Sequence, residues 1–165
     1  MNVLGLSAHY HDASAALVSD GVLVAAAEEE RFSRQKHDPN FPQLARTFCL
    51  EQAGLSTADL DAVVFYEQPA VKLTRVLATT LAGFPATWRP FVGAMKGWIG
   101  QKLFMHNMIS RELEIHPKLV HFVDHHESHS AHAFYSSPFD EAAILTVDAV
   151  GEWVSTSIRR GSSDG

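Results

Sequence analysis

Apolar and polar positions along this chain alternate in short blocks that read as strands, separated by one clear amphipathic helix and a longer helical stretch. Residues Asn2 to Ala8 read as a buried strand, and His9-Tyr10-His11-Asp12 makes a polar reversal. Ser14 to Ser19 reads as a second strand, Asp20-Gly21 is a hairpin turn signal, and Val22 to Ala27 reads as a third strand. Together they predict an antiparallel meander with a polar tip. Phe32 to Asp38, followed by Pro39 and Pro42, predicts a loop. Gln43 to Ala53 carries Leu44, Ala45, Phe48 and Cys49 at helical spacing, with Gly54 as its stop. Ser56 and Thr57 cap a short turn, and Asp61 to Tyr66 predicts a fourth strand beside the meander, covered by that helix.

The stretch 69–116 reads as a helical insert of two or three helices, broken near Gly83-Phe84-Pro85 and Arg89-Pro90. Trp88, Phe91, Trp98, Phe104 and Met105 give it an apolar side whose plain reading is packing. Lys118 to Val123 predicts a fifth strand, and a helix ending at Ser136-Ser137-Pro138 follows. Glu141 to Asp148 then reads as a buried strand, and Val154 to Arg160 alternates as a half-buried one. Gly161-Ser162-Ser163-Asp164-Gly165 reads as a hairpin turn without a return strand, which predicts a fragment. Val3-Leu4-Gly5-Leu6-Ser7-Ala8 is echoed by Ala143-Ile144-Leu145-Thr146-Val147-Asp148, which suggests a duplicated fold. The expected organisation is a first βββαβα subdomain over 1–138, with the insert at 69–116, and the opening strands of a second over 139–165.

Composition narrows the function classes. The 165 residues are 46% apolar and 19% charged, which fits a soluble globular chain with a real core. A formal charge of -6 argues against a nucleic-acid surface. The longest apolar region, Val76 to Ile109, is interrupted by Arg89, Lys96, Lys102 and prolines, so no membrane span is expected. The single cysteine, Cys49, reads as a core thiol and fits a reducing cytoplasm.

Half of the ten histidines fall between His121 and His132. Asp124 is a good N-cap type, and a helix starting there puts His125 and His129 at i and i+4 on one face. Two such imidazoles can bring their ring nitrogens within the roughly 3 Å that two ligands of one ion need. Asp148 is the carboxylate that would complete the site. Two imidazoles and a carboxylate with open positions suit a first-row divalent ion, which can polarise a carbonyl or phosphoryl oxygen. The bland alternative is a pair of surface histidines that bind nothing. His126 and His132 lie off the ligand face. His11, at the reversal after the first strand, could accept an alcohol proton, with His9 as its competitor and a turn residue capped by Asp12 as the plain reading. The run Glu28-Glu29-Glu30-Arg31 reads as a solvated charged face.

Several of these segments resemble one family. Gly5-Leu6-Ser7-Ala8, His11-Asp12-Ala13-Ser14-Ala15-Ala16-Leu17 and Glu28-Glu29-Glu30-Arg31-Phe32-Ser33-Arg34-Gln35-Lys36-His37 are similar to the opening of the O-carbamoyltransferases of the nodulation-protein and antibiotic-tailoring type. His125-His126-Glu127-Ser128-His129 and Thr146-Val147-Asp148-Ala149-Val150-Gly151-Glu152 resemble that family's metal motif. The resemblance implies an α/β, actin/sugar-kinase/Hsp70-like (ribonuclease H-like) duplicated fold, with the first subdomain complete and the second only begun. It implies an iron(II)-type divalent metal on His125, His129 and Asp148, and a further carboxylate ligand from a segment this chain lacks. His11 would be the catalytic histidine. Asp12, Arg34, Lys36, Gly151 and Glu152 would contact nucleotide or substrate.

The implied partners are a small-molecule alcohol acceptor and a C-terminal domain, absent here, that makes carbamoyl-adenylate from carbamoyl phosphate and ATP; a homodimer is left open. Ala149 departs from the family's Asp-Gly-x-Gly-Glu pattern, and its methyl group puts phosphate approach there in question. The competing readings are a threonylcarbamoyl transferase or metallohydrolase, or a non-catalytic nucleotide- or metal-binding module.

Overall fold

A computed structural model describes residues 1–89, 91–93, 95, 104–149 and 151–163. The chain divides into two compact units, one of Met1–Tyr66 with Phe104–Phe122 and one of Glu67–Leu103 with Val123–Gly165.

The first unit is a mixed five-stranded sheet: β1 (Asn2–Ser7), β2 (Ser14–Ser19), β3 (Val22–Glu28), β4 (Ala62–Phe65) and β5 (Val120–Phe122), in the order β3-β2-β1-β4-β5. The first three are antiparallel, as the hairpin signal at Asp20-Gly21 predicts, while β4 runs parallel to β1 and β5 parallel to β4. Alternation along each strand sends Leu4, Leu6, Leu17, Val63 and Phe65 into one core. The short helix α1 (Glu30–Ser33) follows β3 and takes in Phe32 and Ser33, the start of the expected loop. Helix α2 (Gln43–Ala53) packs on β2 and β3 and ends at Gly54, whose φ of 65° is the left-handed stop that glycine adopts without strain. Its Cys49 is buried, with the thiol donating to the Ala15 carbonyl (3.4 Å), and burial pushes the thiol pKa up. A structural thiol is what these surroundings make.

The glutamate run is not a uniformly solvated face. Glu29 is buried, and its two carboxylate oxygens accept the backbone N–H groups of Leu44 (3.0 Å) and Ala45 (2.8 Å) in the first turn of α2. The residue before α2 is Pro42, which offers no side-chain acceptor. The orphan donors and positive dipole end are therefore met by a carboxylate from a distant strand end. The apolar side of the 69–116 stretch is also split. Helix α3 (Pro69–Ala82) belongs to the second unit and stops at the expected break, Gly83. Helix α4 (Met105–Leu113) buries Met105, Ile109 and Leu113 in the core of the first. Trp98 and Pro90 lie outside the described residues.

The second unit holds α3, helix α5 (His125–Tyr135) and an antiparallel ribbon of β6 (Glu141–Val147) and β7 (Thr156–Ser162). Two sequence expectations change here. Gly161 and Ser162 are not a turn; they pair in β7 with Ala142 and Glu141. The strand β6 is covered on one face only, by α5, leaving Leu145 and Val147 exposed among the described residues. Among those residues no helix is long and apolar enough to cross a membrane.

Glu29→Ala would strip two buried N–H groups of a charged acceptor and is expected to lower the stability of the chain by about 2 kcal/mol, read by urea denaturation. An unchanged midpoint would show that the cap contributes nothing.

Candidate metal centre

The second unit builds its site from the rotation of one helix. Asp124 caps α5 by accepting the Glu127 N–H (2.9 Å) and also receives Arg159 of β7 (3.0 Å), which fixes where the helix begins. The buried stripe of α5 is His126, Ser130 and Phe134, spaced i, i+4, i+8. Each makes a specific contact with the ribbon. His126 Nδ1 meets Ser157 Oγ at 3.0 Å, and Ser130 Oγ meets Thr146 Oγ1 at 3.1 Å. Phe134 lies against Gly161, where a Cβ would come within 2.4 Å of the ring. With that stripe held, the neighbouring stripe of His125 and His129 faces the residue that follows β6.

That residue is Asp148, anchored by its own N–H to the Ser155 carbonyl (2.8 Å). His125 Nε2 lies 3.0 Å from Asp148 Oδ2 and 3.2 Å from His129 Nε2. One ligand atom from each of the three falls within 4.8 Å of the others. Donors bound at about 2.1 Å around one ion, at right angles, stand about 3 Å apart, so these separations fit a shared first-row divalent cation. Two imidazole nitrogens and one carboxylate oxygen are also the donor set such an ion takes. The charge states suit it. Burial, then the neighbouring His125, hold the His129 imidazole below its usual pKa, which favours the neutral, lone-pair form. Burial raises the Asp148 carboxyl, but the Ala149 N–H and the two histidines outweigh it, and the group ends below the usual carboxylate range.

The other predicted positions are also placed. Gly151 is buried in the same unit, where a Cβ would meet the Val154 carbonyl at 2.1 Å and His126 Nε2 at 2.8 Å, and its own carbonyl accepts from Arg75. Glu152 is buried and accepts the backbone N–H of Gln68 just before α3; burial pushes its pKa up, against that hydrogen bond. Both residues pack the turn after Asp148. In the first unit, His11 and Asp12 are joined at 2.6 Å, and Arg34 and Lys36 are exposed, Arg34 at a left-handed φ of 60°. His37 also reaches Asp12, a contact that its position at the end of a charge run gave no sign of.

Residues 2–164 match the family model described as Carbamoyltransferase N-terminus. The chain belongs to the carbamoyltransferase N-terminus family. It is 46% identical over 172 residues to the Uncharacterized protein sll1178 of Synechocystis sp., covering 99% of this chain and 28% of that protein. It is 34% identical over 157 residues to the Nodulation protein NolNO of Sinorhizobium fredii, covering 92% of this chain and 21% of that one. The chain thus spans about a quarter of the length of these curated relatives. Among solved structures, YeaZ from Pseudomonas aeruginosa is similar over 90% of this chain and 55% of its own, at 18% identity and a TM-score of 0.41, a likeness too slight to carry an argument.

His125→Ala is expected to weaken binding of ferrous or cobaltous ion at least tenfold, measured by anaerobic titration calorimetry, while leaving the circular dichroism unchanged. Equal affinity in both proteins would remove His125 from the site.

Proposed function

We propose that this chain is the N-terminal part of a metal-dependent O-carbamoyltransferase that moves a carbamoyl group from carbamoyl-adenylate to an alcohol of a small molecule. The observation that carries the reading is the convergence of His125, His129 and Asp148 in a chain of this family. These three residues would hold an iron(II)-type ion, with a further carboxylate from elsewhere in the longer polypeptide. When bound, the ion supplies Lewis acidity toward the donor's carbonyl or phosphoryl oxygen.

The remaining roles fall to the chain's own groups. His11 takes the proton of the acceptor hydroxyl as its oxygen bonds to the carbamoyl carbon. The bond from that carbon to the phosphate oxygen breaks, and AMP leaves with the electron pair. Arg34 and Lys36, exposed cations on a loop near His37, contact the phosphate or acceptor, and Asp12 stands beside His11. Gly151 and Glu152 shape the turn behind Asp148 at the nucleotide side. In this reading the donor is made from carbamoyl phosphate and ATP by a C-terminal domain, the fold is the duplicated actin-like one, and the setting is the cytoplasm.

The test is the longer polypeptide supplied with carbamoyl phosphate, ATP and a panel of polyhydroxylated acceptors. Carbamoylated alcohol and AMP are expected in equal amounts, with His11→Asn lowering kcat by about 10²–10⁴-fold. ATP consumption without carbamoylated product on any acceptor would overturn the reading.

A further inference from the structure

The polar tip of the first unit is more organised than a solvent-exposed turn requires. Two loops, one after β1 and one after α1, are sewn together by backbone hydrogen bonds: the His9 N–H to the Pro39 carbonyl (2.8 Å) and the Ala13 N–H to the Asp38 carbonyl (2.9 Å). The His37 N–H is held in turn by Glu30 Oε2 (2.9 Å). Three non-glycine residues at this junction, His9, Asp12 and His37, sit in the left-handed region at φ of 63°, 54° and 56°. Each of those conformations is unfavourable for an L residue, and such positions gather where the surroundings fix a functional arrangement. This backbone arrangement places one carboxylate between two imidazoles. Asp12 Oδ2 meets His11 Nδ1 at 2.6 Å, and Asp12 Oδ1 meets His37 Nδ1 at 2.7 Å.

We propose that Asp12 and His37 are positioning residues for His11: Asp12 holds the His11 proton on Nδ1, and His37 holds Asp12 in the orientation that does so. This rests on His11 being the base of the proposed transfer. An ionised carboxylate only accepts hydrogen bonds, so each ring donates from Nδ1. In neutral His11 the lone pair then lies on Nε2, the atom that would receive the acceptor's proton. Free imidazole side chains in water favour the opposite tautomer, with the proton on Nε2, which would leave most copies unable to take a proton there. After transfer, the imidazolium stands against the Asp12 anion. His37, then His11, hold the Asp12 carboxyl below its usual pKa, so the acceptor of both bonds stays ionised around neutrality. Asp12 thereby moves from substrate contact to orientation of the base, the role a carboxylate plays behind a catalytic histidine elsewhere.

The test is the tautomer of His11, read from ring ¹⁵N shifts of histidine-labelled chain at about pH 8.5, above the usual imidazole range, and assigned by the signals lost in His11→Gln. The unaltered chain is expected to show His11 protonated on Nδ1. Asp12→Ala should convert it mainly to the Nε2–H form. His37→Ala should give a mixture, and His37→Asn, which keeps an N–H donor for Asp12, should restore the Nδ1–H form. His11 protonated on Nε2 in the unaltered chain would overturn the inference even if no variant folds. So would an Nδ1–H tautomer that persists in Asp12→Ala, or one that is the same in His37→Ala as in the unaltered chain. The spectrum needs no substrate, so failure of the functional reading shows in the transfer assay alone, and failure of this inference shows in the spectrum.

Discussion

The rotational setting of α5 on the β6–β7 ribbon is the constraint from which the metal centre follows. A helix is a cylinder, and two histidines four residues apart converge on any given neighbour only over a narrow range of rotation. Here three contacts of different kinds remove that freedom. Ser130 to Thr146 and His126 to Ser157 are polar and directional, and they point to different strands. Phe134 on Gly161 is steric, and it works because the strand carries no side chain there. The buried stripe thus acts as a template that sets the direction of the stripe beside it.

The electrostatics follow from the same placement. A histidine pair brought within 3.2 Å would repel if both rings were charged. Partial burial and the mutual proximity of the rings keep His129 neutral, while Asp148 remains ionised beside them. Two ring nitrogens and one carboxylate oxygen, already gathered by the fold, are a preorganised donor set. The first unit repeats the theme in another form: there a carboxylate is clamped between two rings, and the hydrogen bonds that stitch two loops, rather than helix packing, fix the geometry.

What was legible in the sequence was local. Asp20-Gly21, the Gly54 stop, the Asp124 cap and the i, i+4 histidines depend on neighbours a few residues away, and each stands where its pattern puts it. What was not legible depends on remote partners. Nothing in three consecutive glutamates says that the middle one is buried against a helix fifteen residues on; the usable clue was Pro42, a helix start with no capping side chain of its own. His37 and Asp12 are 25 residues apart, and their meeting is set by how two loops are stitched. Gly161 looked like a turn because glycine usually marks one. It pairs with Ala142 in a strand, and it is glycine there because Phe134, from another element, occupies the space a side chain would need.

The most direct test of this account alters the template and leaves the ligands untouched. Gly161→Val places methyl groups where Phe134 packs and should turn α5 away from Asp148. Titration of the chain with cobaltous ion is then expected to give an affinity weaker by about tenfold or more, with the helical circular dichroism retained. An affinity equal to that of the unaltered chain would contradict the claim that the packed stripe of α5 sets the metal centre.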